Sequence, residues 1–315
     1  MLFGFSMRQL LRKYKLFLYI TMTHASPNPW LLAARPRTLP IAVMPVLLGS
    51  ALAIHAQAFS FIPALVCLAF ALLVQVGANY ANDYYDFLKG ADNEERKGPQ
   101  RAVASGLVTP AAMRNATYGV LSLAFILGLV LIAYGGWWLL LVGVLSVVCA
   151  VAYTGGPFPL GYLGLGDLFV FIFFGLVAVI FTFFVQAGYV TYEAFLVGVG
   201  MGLMAVNVLV VTSYRDIDGD TKVGKRTLAV RMGRAWTQVQ YAAGYYIALG
   251  ILFLLWISAF SFWILLPWVL APYVYHLSTF LATAVTSDDF KYLLIGSMRT
   301  LVLYGVLLSI GIILG

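Results

Sequence analysis

Nine long apolar stretches alternate with short polar connections along the chain, over about residues 38–57, 60–82, 115–134, 136–153, 167–187, 193–213, 239–257, 262–280 and 298–314. Each approaches the roughly 20 apolar residues that a helix needs to cross the hydrocarbon core of a bilayer. The third and fourth are separated only by Gly135 and Gly136, which predicts a tight hairpin at one membrane face. The expectation is an all-α, polytopic membrane protein of nine transmembrane helices around a central cavity.

The polar connections give the orientation. All 19 Lys and Arg fall before the first stretch or in the second-to-third, sixth-to-seventh and eighth-to-ninth connections. The connections near 58, 135, 190 and 260 hold none. Basic residues stay on the cytoplasmic side, so the pattern predicts an N-in/C-out protein of the cytoplasmic (inner) membrane. Residues 1–29 read as a basic interfacial extension ahead of a membrane domain over 30–315. The apolar core of the extension, Leu16 to Met22, is short for a signal peptide, and no convincing cleavage site follows.

Composition sharpens this picture. Of 315 residues 62% are hydrophobic and 10% charged, where a soluble domain carries about 25% charge. Mean hydropathy is +0.93. A water-exposed surface cannot be built from so few ionised groups. The net charge of +7 forms no continuous basic stripe, so nucleic acid is not an expected partner. Cys67 and Cys149 lie inside apolar runs, and His24, His55 and His276 are scattered. That argues against structural zinc, haem and Cys/His catalysis.

The acidic residues are concentrated. Eight of the 12 Asp and Glu fall in two stretches, Asp83–Glu95 and Asp216–Asp220. Each begins at the inner end of an apolar stretch, the second and the sixth, which run the same way and suggest a parallel internal duplication. Asn82 and Asp86 are i, i+4 and share a helix face; Asn79 and Asp83 repeat the spacing one step round. Gly90 then offers a turn that returns Asp92. Asp216 and Asp220 are again i, i+4, while Asp218 points elsewhere. Oxygen ligands of this kind suit Mg²⁺, which completes its shell with water and phosphate oxygens. Lys97, Arg101, Lys225 and Arg226 follow closely and suit a polyanion. One acidic cluster reads as a solvated helix end, and basic residues belong at the inner face anyway. The same pairing of acids and cations twice over points to a metal–diphosphate site in a membrane.

Two motifs carry a resemblance. Asn82-Asp-x-x-Asp86-x-x-Lys-Gly-x-Asp92 and Arg215-Asp-x-x-x-Asp220-x-x-x-Gly-Lys225-x-Thr-Leu resemble the aspartate-rich motifs of the intramembrane aromatic prenyltransferases, the UbiA superfamily. Trp30 to Pro40, Lys97-Gly-Pro-Gln-Arg101, and Tyr153-Thr-Gly-Gly-Pro157 leading to Gly164-Leu-Gly-Asp167 resemble the branch that prenylates 1,4-dihydroxy-2-naphthoate. The resemblance runs from about residue 29 to 315. It implies a transferase that moves a polyprenyl group from polyprenyl diphosphate to that acceptor with loss of carbon dioxide, in menaquinone biosynthesis. It implies Mg²⁺, replaceable by Mn²⁺, on Asn82, Asp86, Asp92, Asp216 and Asp220. Arg37, Lys97, Arg101, Arg215 and Lys225 are then expected on the diphosphate, and Asn79 and Tyr153 on the acceptor or prenyl group. Where the family suggests an Asn pair before Arg215, this chain has Thr212-Ser213, so an Asn ligand there does not carry over.

Smaller features complete the expectation. The uncharged loop Tyr153 to Tyr162 reads as a lid or a plain connection, and the resemblance favours the lid. Asp167 reads as a helix N-cap. Phe169, Phe171, Phe173, Phe174, Phe181, Phe183 and Phe184 line a prenyl channel or simply face lipid. Three alternatives rank lower. A sibling acting on 4-hydroxybenzoate, haem or chlorophyllide should differ in motif spacing, the 4-hydroxybenzoate group placing its third acid closer to the second than Asp92 is to Asp86. A secondary transporter would carry ionisable residues near the midplane. A CDP-alcohol phosphotransferase would need a motif that is absent.

Overall fold

The computed structural model describes residues 28–92, 98, 100–258 and 260–315. Lys97 and nearly all of the 1–29 extension lie outside the described residues. The described chain is all helix and turn. Helix α1 (Pro29–Ala34) leads through a bend into α2 (Pro40–His55). Then come α3 (Phe61–Leu88), α4 (Pro110–Gly135), α5 (Leu139–Ala152), α6 (Gly166–Ala187), α7 (Tyr192–Lys222), α8 (Leu228–Ser258), α9 (Phe262–Thr283) and α10 (Ser287–Leu314).

The nine apolar stretches correspond in order to helices α2 to α10, though not every one of these helices is by itself long and apolar enough to cross a membrane. Seven helices, α3, α4 and α6 to α10, are long and apolar enough to span a membrane, and the bent pair Pro29–Thr38 and Pro40–His55 makes an eighth. Helix α5 has 14 residues, roughly 21 Å at 1.5 Å per residue against a core of about 30 Å. The Gly135-Gly136 hairpin and the Gly/Pro-rich segment after Tyr153 cut it short.

Several helices overrun the apolar stretches. Hydropathy marks where side chains leave hydrocarbon, whereas a helix ends where its backbone is capped. Helix α7 continues through the second acidic motif to Lys222, and α10 starts at Ser287. There Thr286 and Asp289 form a reciprocal capping box. Lys291 and Arg299, expected in a connection, therefore stand on α10.

The motif-bearing helices each pack along the helix that follows, α3 on α4 and α7 on α8, while α10 closes against α2. Helix α7 is the central one, with 78% of its apolar window buried, against 22% for α3. Its approach to α6 is set by Gly175, where an added Cβ would stand 2.5 Å from the Gly198 carbonyl oxygen and 2.6 Å from Gly202 Cα. Gly198 and Gly202 form a small-xxx-small pair, which lets two backbones touch.

Candidate active site

The helices enclose a cavity of about 1400 Å³. Both acidic motifs line one end of it, and Phe70, Leu131, Leu139, Val142 and Phe181 line the apolar remainder. Of the seven aromatics at 169–184, Phe169, Phe173, Phe174 and Phe181 reach the cavity. Phe183 is instead buried in the core, Phe184 packs on Trp138 and Phe171 lies against Gly202. Only the first four are placed to touch an occupant.

The first motif is organised by a residue outside the expected ligand set. Asp83 is 1% exposed, and its carboxylate accepts from the Ala102 and Val103 backbone N–H groups at 3.1 and 2.9 Å. This anchors the 100–106 segment on α3 and presents Arg101. The Arg101 guanidinium bridges Asp86 Oδ2 at 3.2 Å and Asp92 Oδ1 at 3.3 Å. Its Nη1 is buried without a hydrogen-bond partner among the described residues. Asn79 donates through Nδ2 to the Ala34 carbonyl at 2.9 Å and fixes α1 against α3. Asn82 Oδ1 accepts from Thr154 Oγ1 at 2.9 Å.

In the second motif the Arg215 guanidinium grips Asp216 through two 2.7 Å bonds. Lys225 Nζ lies 3.8 Å from Asp220 Oδ1. Asp218 sits at the cavity mouth, but its carboxylate is paired with Arg234 of α8 at 2.9 Å and its side chain is 66% exposed. Thr212 donates to the Leu209 carbonyl at 2.8 Å, and Ser213 lines the cavity.

Tyr162 joins the two motifs. Its hydroxyl donates to Asp86 Oδ1 at 2.8 Å, and its carbonyl accepts from the Arg226 N–H at 2.9 Å. Lys89 Nζ and Lys225 Nζ lie 4.5 and 5.1 Å from its ring centroid, cation–π distances. Lys89 also donates to the Thr154 carbonyl at 2.5 Å. Burial, then the charge of Asp86, pushes the Tyr162 phenol well above its usual range, so it stays a donor. Burial lowers the Lys89 ammonium, opposed by Asp86 and reinforced by Lys225. Gly164, at φ +74°, lets the segment turn against the Arg226 carbonyl, 2.9 Å from where a Cβ would be. The 153–165 segment is thus a strap over both motifs.

The cavity wall includes Asn79, Asn82, Asp86, Asp92, Arg101, Tyr153, Arg215, Asp216, Asp220, Lys225 and the exposed Arg37. The Arg226 side chain is exposed and contributes only backbone. Asp167 does not cap its helix: Leu165 holds the N-cap position, and Asp167, two residues on, accepts from Gln240 Nε2 at 3.4 Å. Each anionic ligand candidate meets a cation, and among the described residues no three acidic, His or Cys side chains converge on one point. Tyr162, Lys89 and Asp83 were not expected as site residues. Asp83 and Lys89 stand within the first motif, but their partners, like Tyr162 itself, lie on loops that fold back over α3 and leave no trace in the spacing.

These features can be set beside known proteins. The chain is 40% identical over 244 residues to the 1,4-dihydroxy-2-naphthoate octaprenyltransferase of Mycobacterium tuberculosis (strain ATCC 25618 / H37Rv), covering 78% of this chain and 81% of that one. It is 41% identical over 219 residues to the protein of the same name from Mycobacterium leprae (strain TN), covering 70% and 74%. Its fold is similar to that of a UbiA homolog from Archaeoglobus fulgidus bound to DMAPP and Mg²⁺, with a TM-score of 0.60, 14% identity and coverage of 90% of this chain and 99% of that one. Residues 42–304 match the UbiA prenyltransferase family, spanning both acidic motifs and the strap between them. By that match and these relatives, this integral membrane protein belongs to the UbiA prenyltransferase family.

Proposed function

We propose that the chain transfers a polyprenyl group from polyprenyl diphosphate to 1,4-dihydroxy-2-naphthoate, with loss of carbon dioxide, giving demethylmenaquinol for menaquinone biosynthesis. The observation that carries this is one cavity with acidic and basic side chains of two motifs at one end and an apolar channel beyond. The names of the two mycobacterial relatives support the same acceptor.

The residues fit a divalent cation by chemistry. Asp86, Asp92, Asp216 and Asp220, with the Asn82 amide oxygen, form an all-oxygen donor set, and these would hold Mg²⁺ or Mn²⁺. When bound, the cation neutralises diphosphate and makes it a leaving group. The UbiA homolog from Archaeoglobus fulgidus bound to DMAPP and Mg²⁺ supports this choice. Arg101, Arg215 and Lys225 now neutralise those carboxylates. These three would exchange carboxylate for phosphate oxygens as substrate enters, joined there by Lys97 and Arg37, and Arg101 Nη1, without a partner among the described residues, is a donor ready for one.

The strap then covers the head group, and the apolar wall keeps water from the allylic cation. The bond from prenyl C1 to the diphosphate oxygen breaks. The ring carbon that bears the carboxylate forms the new bond to C1, and the carboxylate leaves as carbon dioxide, returning its bond pair to the ring. Asn79 and Tyr153 border the space for the acceptor. In this reading the motifs face the cytosol of the cytoplasmic membrane, where diphosphate is supplied. Residues 30–315 form the membrane domain, preceded by the interfacial extension.

The test is incubation of the purified protein in detergent with Mg²⁺, a polyprenyl diphosphate and either 1,4-dihydroxy-2-naphthoate or 4-hydroxybenzoate. A product whose mass shows prenyl addition and carbon dioxide loss from the naphthoate is expected, and EDTA should abolish it. Exclusive turnover of 4-hydroxybenzoate, or full turnover in excess chelator, would overturn the assignment.

A further inference from the structure

One polar side chain deep in the cavity is used neither by the fold nor by the head-group site. Gln75 lines the cavity from α3 and is 9% exposed. Its amide makes no hydrogen bond to any described residue. Gln75, Asn79, Asn82 and Asp86 recur at i, i+4, i+7 and i+11, so they share one face of α3. At about 1.5 Å per residue, Gln75 lies roughly 16 Å along the helix from Asp86, inside the apolar part. Three neighbouring polar side chains on α3 and α5 are occupied: Asn79 on the Ala34 carbonyl, Asn82 on Thr154, and Ser146 on the Val142 carbonyl at 2.7 Å.

A primary amide has two N–H donors and a carbonyl acceptor, and burying them unpaired is costly. A prenyl chain offers only hydrocarbon. In the prenyl-transfer reading, on which this inference rests, the acceptor is the substrate that brings oxygen to this depth. We propose that Gln75 hydrogen-bonds the acceptor and is a specificity-determining residue for it. The carbon bearing the carboxylate must meet prenyl C1 beside the diphosphate, and the 1-hydroxyl is on the adjacent carbon. The 4-hydroxyl, meta to the reacting carbon, is the hydroxyl farther from it, and is the oxygen that reaches Gln75. It donates to or accepts from the amide, which can serve either way.

The test pairs a change in the protein with one in the substrate. Initial rates are measured for the wild type and Gln75→Met with 1,4-dihydroxy-2-naphthoate and with 1-hydroxy-2-naphthoate, which lacks only the 4-hydroxyl. That group is meta to the reacting carbon, so its loss changes the chemistry there little. The wild type should favour the dihydroxy acid in kcat/KM by roughly 10- to 100-fold, the usual penalty for leaving a buried polar group unpaired. In Gln75→Met the preference should fall toward one, through a raised KM for the dihydroxy acid, while KM for polyprenyl diphosphate stays within about twofold. Undiminished preference in a folded Gln75→Met would overturn the proposal. The wild-type arm needs no variant, since equal kcat/KM for the two acids would also overturn it. Failure of the wild type to prenylate either acid would overturn the prenyl-transfer reading together with this one.

Discussion

The Tyr162 hydroxyl donates to Asp86 Oδ1 at 2.8 Å from the strap that follows α5, while the Arg226 N–H, just beyond α7, is bound to the Tyr162 carbonyl. One residue outside both acidic motifs therefore holds a carboxylate of the first and the backbone near the end of the second. Tyr162→Phe removes the bond to Asp86 and keeps the ring between Lys89 and Lys225; Tyr162→Leu removes both. We expect a fall in kcat/KM for polyprenyl diphosphate of about tenfold for Phe, near the worth of one hydrogen bond to a charged group, and a larger fall for Leu. Equal rates for wild type and both variants would exclude a positioning role.

The same bond has a pH signature. Burial and Asp86 raise the phenol above its ordinary value of about 10. The neutral phenol thus favours the folded state fully below about pH 10, and that contribution is lost as pH rises beyond it. Thermal unfolding of Tyr162→Phe should decline less steeply than that of wild type between about pH 9.5 and 11.

Asp83 is expected to act on stability first and on catalysis through Arg101. In Asp83→Asn one side-chain oxygen is replaced by an NH₂ group facing a backbone N–H of Ala102 or Val103. A loss of about 1–3 kcal/mol is expected from the broken pair, read as a lowered unfolding temperature, together with a raised KM for the diphosphate substrate. An unchanged unfolding temperature would mean that the 100–106 segment is held elsewhere.

Among the acids, Asp86→Asn and Asp220→Asn should each lower kcat by about 10²- to 10³-fold, the loss of a hard anionic group near developing charge. Asp218→Asn should stay within about threefold, because its carboxylate is exposed and paired with Arg234. Initial rates at saturating substrate, normalised to folded protein, make the comparison. A severe defect in Asp218→Asn would place that side chain in the chemistry.

The crossing of α6 and α7 gives a stability prediction remote from the site. Gly175→Ala forces a methyl group to 2.5 Å from a backbone oxygen, whereas Gly250→Ala on α8 meets nothing within 4 Å. Separating two packed helices should cost about 1–3 kcal/mol. The Gly250 change should be neutral or slightly stabilising in a helix interior. Unfolding temperatures in detergent distinguish the two.

Which parts of this protein are legible in its sequence follows from which interactions are local. Apolar runs reveal the helices because the bilayer demands some 20 apolar residues in a row, and i, i+4 spacing reveals the carboxylate faces because helix geometry is fixed. Asn82, Asp86, Asp216 and Asp220 are found that way, and all four line one cavity. Hydropathy misses where α7 and α10 end, since capping sets a helix terminus, although the Thr286/Asp289 box was there to be read. Tyr162 on Asp86, Asp83 on the Ala102 and Val103 N–H groups and the Gly175 crossing join residues 76, 19 and 23 or more positions apart. Gln75 looks like a stray polar residue in an apolar run until the helices close around it. Such pairings leave no periodic trace, because they depend on where a loop lands and how closely two backbones pack. Tertiary structure alone decides them.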